Sequence, residues 1–109
     1  MSDQPPEIPT VDVTEARDKA ASGAILIDVR EQIEWDESRI SGAELKPLST
    51  VNSWYEDLPD EGDIVFYCRS GNRSGQIVEA LVTKVGMKNV FNMAGGIIAW
   101  AENDLPLET

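Results

Sequence analysis

The chain has 109 residues, and 9 lysine and arginine residues against 20 aspartate and glutamate residues give it a formal net charge of -11. This length fits one domain with one hydrophobic core, and the negative charge argues against nucleic-acid binding, which needs a basic surface. One cysteine and no histidine leave no internal disulfide and no Cys/His zinc site.

Targeting signals are not apparent in the sequence. No apolar run reaches membrane-spanning length, and residues 1–7 lack the basic and apolar regions of a signal peptide. We therefore expect a cytoplasmic protein with no membrane partner, in which residues 1–8 form a disordered lead-in to a single domain over residues 9–109. The cytoplasm also keeps a free thiol reduced.

The first half of the chain alternates helical and extended patterns. A helix is predicted over residues 14–21, with Thr14 as its N-cap and Gly23 at its end. The unbroken apolar run at residues 25–29 predicts a buried strand.

The middle of the chain is less regular. Residues 31–38 predict a short helix with Ile33 and Trp35 facing inward. A short strand is expected within residues 43–48, and a helix over residues 50–58.

The second half repeats the strand–helix pattern more clearly. Residues 63–67 predict a buried strand and residues 74–85 a helix ended by Gly86. Residues 89–92 predict another strand, after which residues 95–100 turn into a final helix. Apolar strands that are each followed by a helix indicate an α/β fold with a parallel sheet covered on both faces.

The only cysteine lies in a loop between a predicted strand and a predicted helix, in the segment Cys-Arg-Ser-Gly-Asn-Arg-Ser at residues 68–74. The backbone N–H groups of such a loop converge on one point, and the helix N-terminus adds about half a positive charge there. Arg69 and Arg73 add full charges. These effects lower a thiol pKa and attract an anion. A lone cysteine is commonly a small buried hydrophobe, but its polar neighbours here favour a reactive thiolate.

Three motifs together resemble those of the rhodanese-like sulfurtransferases. The loop at residues 68–74 resembles that family's active-site loop. Leu-Ile-Asp-Val-Arg-Glu at residues 26–31, with Glu34-Trp35 after it, resembles the family's first box, and Met-Ala-Gly-Gly-Ile-Ile-Ala-Trp at residues 93–100 resembles its closing box. The resemblance implies the rhodanese-like fold, a small parallel-sheet sandwich with helices on both faces.

One element departs from the family pattern. The family commonly has Gly-His-Ile-x-Gly-Ala after the first box, whereas this chain has Ser-Arg-Ile-Ser-Gly-Ala at residues 38–43. No Cys–His pair can form without a histidine, so the loop itself must generate the thiolate.

The resemblance implies a two-step sulfur transfer without a cofactor or metal. Sulfane sulfur would pass from a donor such as thiosulfate to Cys68, forming a persulfide, and then to cyanide or a thiol. A protein partner as donor or acceptor stays open. The candidate site residues are Cys68 as the catalytic residue; Arg69, Ser70, Gly71, Asn72, Arg73 and Ser74 for substrate binding; and Asp28 and Arg30 in support.

Individual roles follow from side-chain chemistry. Arg73 is the first candidate for the sulfonate oxygens of the donor, through a bidentate fork, and Arg69 is the second. We expect Ser74 to cap the helix. Asp28 and Arg30 either line the pocket or form an ion pair that ties the strand end to the loop, and we favour the ion pair.

Three alternatives to this function stay open. A cysteine phosphatase needs an arginine six positions after the cysteine, where this chain has Ser74, and arsenate reduction meets the same objection. The second alternative is a protein-to-protein persulfide carrier, and the third is a binding module without catalysis.

Overall fold

The computed structural model describes residues 8–109. Most of the predicted disordered lead-in, residues 1–7, therefore lies outside the described part of the chain. Ile8, the last residue of that segment, packs against the hydrophobic core.

The described residues form α-helices and short strands in alternation. The strands are β1 (Thr10–Val11), β2 (Ile25–Asp28), β3 (Arg39–Ile40), β4 (Glu44–Leu45), β5 (Ile64–Tyr67), β6 (Val90–Met93) and β7 (Leu107–Glu108). The α-helices are α1 (Val13–Ala21), α2 (Gln32–Glu37), α3 (Val51–Trp54), α4 (Asn72–Ala80) and α5 (Gly96–Glu102).

Five strands form one sheet in the order β1-β6-β5-β2-β4. Every neighbouring pair in it is parallel, which confirms the predicted α/β class. Helices cover both faces of the sheet: side chains of α3 and α4 join one core cluster, and side chains of α1 and α5 join the other. The central strand β5 is buried on both faces, and Cys68 follows directly at its carboxyl end.

A second, two-stranded sheet was not predicted. In it β3 pairs antiparallel with β7, with Arg39 opposite Glu108 and Ile40 opposite Leu107. The two strands are far apart in the sequence and each is two residues long, so neither has a local pattern that marks it.

The start of α1 differs from the expectation. Asp12, and not Thr14, is the N-cap, since its carboxylate accepts the N–H of Glu15 at 2.8 Å. The Glu15 carboxylate accepts the N–H of Asp12 at 3.1 Å in return. This reciprocal capping box satisfies two N–H groups that a helix leaves unpaired.

The inward orientation predicted for Ile33 in α2 is wrong. Its side chain is 73% exposed, and no residue of this six-residue helix is buried. Trp35 is half-buried. A helix this short does not need an apolar face, because polar contacts made by Glu34 hold it in place.

The remaining helices follow the predictions with changes at their ends. The segment predicted as one helix over residues 50–58 is α3 flanked by two 3₁₀ turns, Leu48–Thr50 and Tyr55–Asp57. The long helix begins at Asn72 as α4 and finishes in a π-helical turn, Leu81–Val85, which ends at Gly86 with φ 84°. Among the described residues, no helix has the length and apolar character needed to cross a membrane.

Candidate active site

The sulfur of Cys68 lies at the carboxyl end of the central strand. The side chain is 1% exposed and packs against one core cluster, so the cysteine is also part of the core. The chain then turns into α4 through Gly71, which is the N-cap and has φ 103°. Only glycine adopts this conformation without strain, which explains the glycine at this point of the loop.

Several donors of the loop converge on the Cys68 sulfur. The N–H of Gly71 donates to Sγ at 3.1 Å, and the N–H of Ser74 lies 3.5 Å from it. The hydroxyl of Ser74 lies 3.4 Å from the same atom. Burial raises the pKa of the Cys68 thiol, but the hydrogen bonds from Ser74, Gly71 and Ser70 outweigh it, so the pKa lies below its ordinary value. The loop therefore favours a thiolate.

Backbone N–H groups at the start of α5 donate hydrogen bonds to two carbonyl groups of the loop. The N–H of Ile97 donates to the carbonyl of Cys68 at 2.9 Å, and that of Ile98 to the carbonyl of Arg69 at 3.2 Å. A Cβ on Gly96 would lie 2.5 Å from the carbonyl oxygen of Cys68 and would also collide with that of Arg69. Glycine is thus required at this position because two backbone segments meet there.

Ser74 does not cap the helix, contrary to expectation, because the N-cap is Gly71. Ser74 is fully buried inside the first turn of α4, where its hydroxyl bonds Asn92 Oδ1 at 2.6 Å. Asn92, in β6, also donates from Nδ2 to the carbonyl of Gly71 at 3.2 Å. Asn92 was not among the site residues predicted from the sequence. Its signal was one amide in an otherwise apolar strand that neighbours the strand leading to Cys68.

Arg73 is engaged by a carboxylate. Its guanidinium forms a bidentate pair with Glu34 of α2, at 2.8 Å and 2.9 Å. The hydrogen bond with Arg73 lowers the pKa of Glu34 to about 2, against an opposing effect of burial. In the sequence, Glu34 belongs to the motif after residues 26–31, and no role was predicted for it. As the structure stands, Arg73 is not free to bind a second anion with the same two nitrogens.

The outer side of the loop is open to solvent. Arg69, Ser70 and Asn72 are all exposed. Within residues 8–109, Arg69 forms none of the ion pairs that the structure contains. Arg69 is therefore the loop arginine available to an anion arriving from solution.

Asp28 and Arg30 form a buried ion pair, but not the tie to the loop at residues 68–74 that we had favoured. Their side chains are 0% and 6% exposed, and Arg30 Nη2 lies 2.8 Å from Asp28 Oδ2. The same nitrogen donates to the carbonyl of Ser38 at 2.6 Å. The pair thus joins the end of β2 to the segment where the chain departs from the family pattern, and none of its hydrogen bonds within the described residues reaches the loop at 68–74.

The arrangement suits a nucleophilic sulfur beside an anion site. Converging N–H groups stabilise negative charge on Sγ, or on an atom attached to it. In residues 8–109, His, Cys, Asp and Glu side chains do not gather in threes or more in a way that could hold a metal ion.

Comparison with known proteins relates most of the chain to one family. Residues 12–103 match the family described as Rhodanese-like domain. The chain is 41% identical over 101 residues to the probable adenylyltransferase/sulfurtransferase MoeZ of Mycobacterium tuberculosis, covering 89% of this chain but only 26% of that protein. It is 36% identical over 89 residues to the thiosulfate sulfurtransferase GlpE of Haemophilus influenzae, covering 80% of this chain and 82% of that one.

The fold is also similar to that of solved structures. The rhodanese-related protein from Thermoplasma volcanium superposes with a TM-score of 0.82, covering 92% of this chain and 97% of that chain. The two sequences are 24% identical, so this likeness concerns the fold alone.

Proposed function

The chain belongs to the family of rhodanese-like domains, and on this basis we propose that it is a sulfurtransferase in which Cys68 carries the transferred sulfur as a persulfide. Relatives with sulfurtransferase names support the general activity. The observation that carries the proposal is the convergence of the Gly71 and Ser74 N–H groups on Sγ.

In the first step the Cys68 thiolate attacks the outer sulfur of the donor. With thiosulfate, a bond forms between Sγ and the outer sulfur, the sulfur–sulfur bond of the donor breaks, and sulfite leaves with the electron pair. The transferred sulfur keeps the negative charge that it carried in the donor, so the thiolate is replaced by a persulfide anion. The loop N–H groups that hold the thiolate remain available to stabilise the persulfide anion.

In the second step a thiophilic acceptor takes the terminal sulfur. Cyanide or a thiolate attacks that atom, the persulfide bond breaks, and the Cys68 thiolate is restored. With cyanide the product is thiocyanate. The donor is thiosulfate or a persulfide and the acceptor is cyanide or a thiol; the donor persulfide or the acceptor thiol can be carried by another protein.

We assign recognition of the donor's sulfonate first to Arg69. This reverses the order expected from the sequence, because Arg73 already forms two hydrogen bonds with Glu34. Arg69 is exposed and has no carboxylate partner within the described residues. An arginine fork matches the geometry of a sulfonate as it does other oxyanions.

The test is the intact mass of the protein after brief exposure to thiosulfate without reductant. We expect the wild type to gain the mass of one sulfur atom, and to lose it again on addition of cyanide. Cys68→Ser is the matched control, because the hydroxyl is nearly isosteric with the thiol but far less acidic. It is expected to gain nothing.

Two results would contradict the proposal. A gain of sulfur in the Cys68→Ser variant would place the acceptor atom elsewhere in the chain. No gain in the wild type together with activity on an aryl phosphate would favour phosphatase-like chemistry, whereas no gain alone would exclude only thiosulfate as the donor.

A further inference from the structure

The hydroxyl of Ser74 lies between two hydrogen-bond acceptors. Its oxygen is 2.6 Å from Asn92 Oδ1 and 3.4 Å from Cys68 Sγ. A serine hydroxyl carries one hydrogen, so it cannot donate to both atoms at once. Two oxygens 2.6 Å apart need a hydrogen between them, and the amide oxygen of Asn92 carries none, so in this arrangement the hydroxyl hydrogen is directed at Asn92.

The orientation of the Asn92 amide is fixed independently. Its Nδ2 donates to the carbonyl oxygen of Gly71 at 3.2 Å. Turning the amide over would place Oδ1 against that carbonyl and two acceptors would face each other. Oδ1 therefore has to face Ser74, and it can only accept.

Because Ser74 and Asn92 are buried, it matters energetically whether the Ser74 hydroxyl donates to Asn92 or to the sulfur of Cys68. Ser74 is 0% exposed and Asn92 8% exposed, so water does not readily replace a lost partner for either group. A buried acceptor left without a donor costs free energy. When the Ser74 hydroxyl turns toward a charged sulfur, that cost falls on Asn92 Oδ1.

We propose that Asn92 is a positioning residue that competes with the sulfur of Cys68 for the hydroxyl hydrogen of Ser74 and so limits how far this hydroxyl stabilises the thiolate. The inference extends the proposed function by assigning control of the nucleophile to a residue on a neighbouring strand. With a neutral thiol, the S–H group of Cys68 can donate to Ser74 Oγ while Ser74 donates to Asn92. Once Cys68 is deprotonated, the Ser74 hydroxyl can donate to the sulfur only by breaking its hydrogen bond with Asn92.

Charged groups near the loop stay in place when one neutral side chain is exchanged for another. These groups are Arg69 in the loop, Arg73 in α4, Glu34 in α2, and Asp28 and Arg30 at the end of β2. A difference between variants at Asn92 and Ser74 therefore reports on the hydroxyl and not on the surrounding charges.

The test is a double-mutant cycle on the reactivity of Cys68. The rate of alkylation by iodoacetamide is measured against pH for the wild type, Asn92→Ala, Ser74→Ala and the double variant. Because the chain has one cysteine, the midpoint of each profile is the thiol pKa of Cys68. The loss of the contact between Asn92 and Gly71 affects both Asn92 variants equally and cancels in the cycle.

We expect Ser74→Ala to raise the thiol pKa of Cys68 more in the Asn92→Ala background than in the wild type, by about one unit. Removing Asn92 should release the hydroxyl to the sulfur. Equal shifts in the two backgrounds would overturn the proposal, and a smaller shift without Asn92 would show that Asn92 instead holds the hydroxyl in place for the sulfur.

Two further variants serve as a replacement for Asn92→Ala and as a control. Asn92→Leu is nearly isosteric and also lacks the acceptor, so it replaces Asn92→Ala if the smaller side chain destabilises the fold. Asn89→Ala is the matched control, since the Asn89 amide bonds the carbonyls of Pro59 and Gly62 and should leave the thiol pKa unchanged. No sulfur donor is used, so a failure of thiosulfate labelling does not affect this test.

Discussion

At the scale of single residues, the two loop arginines are in different situations. Arg73 has both of its terminal nitrogens on Glu34, whereas Arg69 projects into solvent at the same loop. An arginine already paired with a carboxylate binds a second anion only after that pair opens. We therefore expect the two residues to contribute differently to donor binding, in the reverse of the order expected from the sequence.

We predict that Arg69→Ala raises the KM for thiosulfate about fivefold, which corresponds to about 1 kcal/mol for an exposed charge-assisted contact. The turnover number should change less, because the donors around Sγ are intact. The measurement is steady-state thiocyanate formation. Arg17→Ala is the control for net charge, since Arg17 lies on α1 and is paired with Asp18.

An equal rise in KM for the Arg17 variant would show that the effect is one of net charge and not of a contact. An unchanged KM in the Arg69 variant would remove Arg69 from the site.

The residues that could be found from sequence are those whose role is local. Cys68 and the glycine at position 71 lie in one short segment, and strand–loop–helix geometry follows from the pattern around them. Glu34 and Asn92 act on that segment from α2 and β6. Their contacts depend on how the elements pack, which a single sequence read locally does not contain.

At the scale of elements, α2 is attached to the molecule by charge more than by apolar contact. None of its residues is buried, and Glu34 joins it to α4 through Arg73. Because the pKa of Glu34 is lowered to about 2, this attachment is stronger when Glu34 is ionised. Its contribution to stability is complete above the ordinary pKa of 4.5 and disappears as the pH falls toward about 2.

We predict that Glu34→Gln lowers the free energy of unfolding by about 1 kcal/mol at neutral pH, as expected for a partly exposed pair. The difference from wild type should shrink as the pH falls below 4.5. Urea unfolding at a series of pH values measures it. Glu37→Gln, in the same helix but exposed, serves as control, and a difference that persists unchanged into acid would contradict the linkage.

Elements with strong periodic patterns were predicted with nearly correct bounds, and so were the short helix α2 and the short strand β4, whereas three other short strands were not predicted. The strand at β5 and the helix at α4 each bury a consistent apolar set. The strands β1, β3 and β7 have two residues each and are defined by their partners. The inward orientation assigned to Ile33 failed because it assumed an apolar core face for a helix that is held by a salt bridge.

At the scale of the whole molecule, the formal net charge of -11 acts on stability. Like charges distributed over a small globule repel one another and destabilise the compact state. The α/β class could be predicted from the sequence because the alternation of apolar strands with helices is a property of the entire chain. Charge repulsion is likewise a property of the entire chain and does not depend on any one contact.

We predict that the melting temperature rises as NaCl increases from about 0.01 M to about 1 M, because the Debye length falls from about 30 Å to about 3 Å. Thermal unfolding followed by circular dichroism measures it. The rise should nearly vanish near the isoelectric point. A melting temperature that falls with salt at neutral pH would mean that favourable ion pairs outweigh the repulsion.

The contact between Gly96 and the loop at residues 68–74 also bears on how this scaffold can be altered. The carbonyls of Cys68 and Arg69 are bonded by α5, and the space left for them is that of a glycine without a side chain. An insertion into the loop would displace those carbonyls toward α5, and α5 cannot move away without losing its own packing in the core. Enlarging the loop to enclose a phosphate therefore demands coordinated changes in two segments of the chain, which makes substitution within the loop an easier route to new specificity than lengthening it.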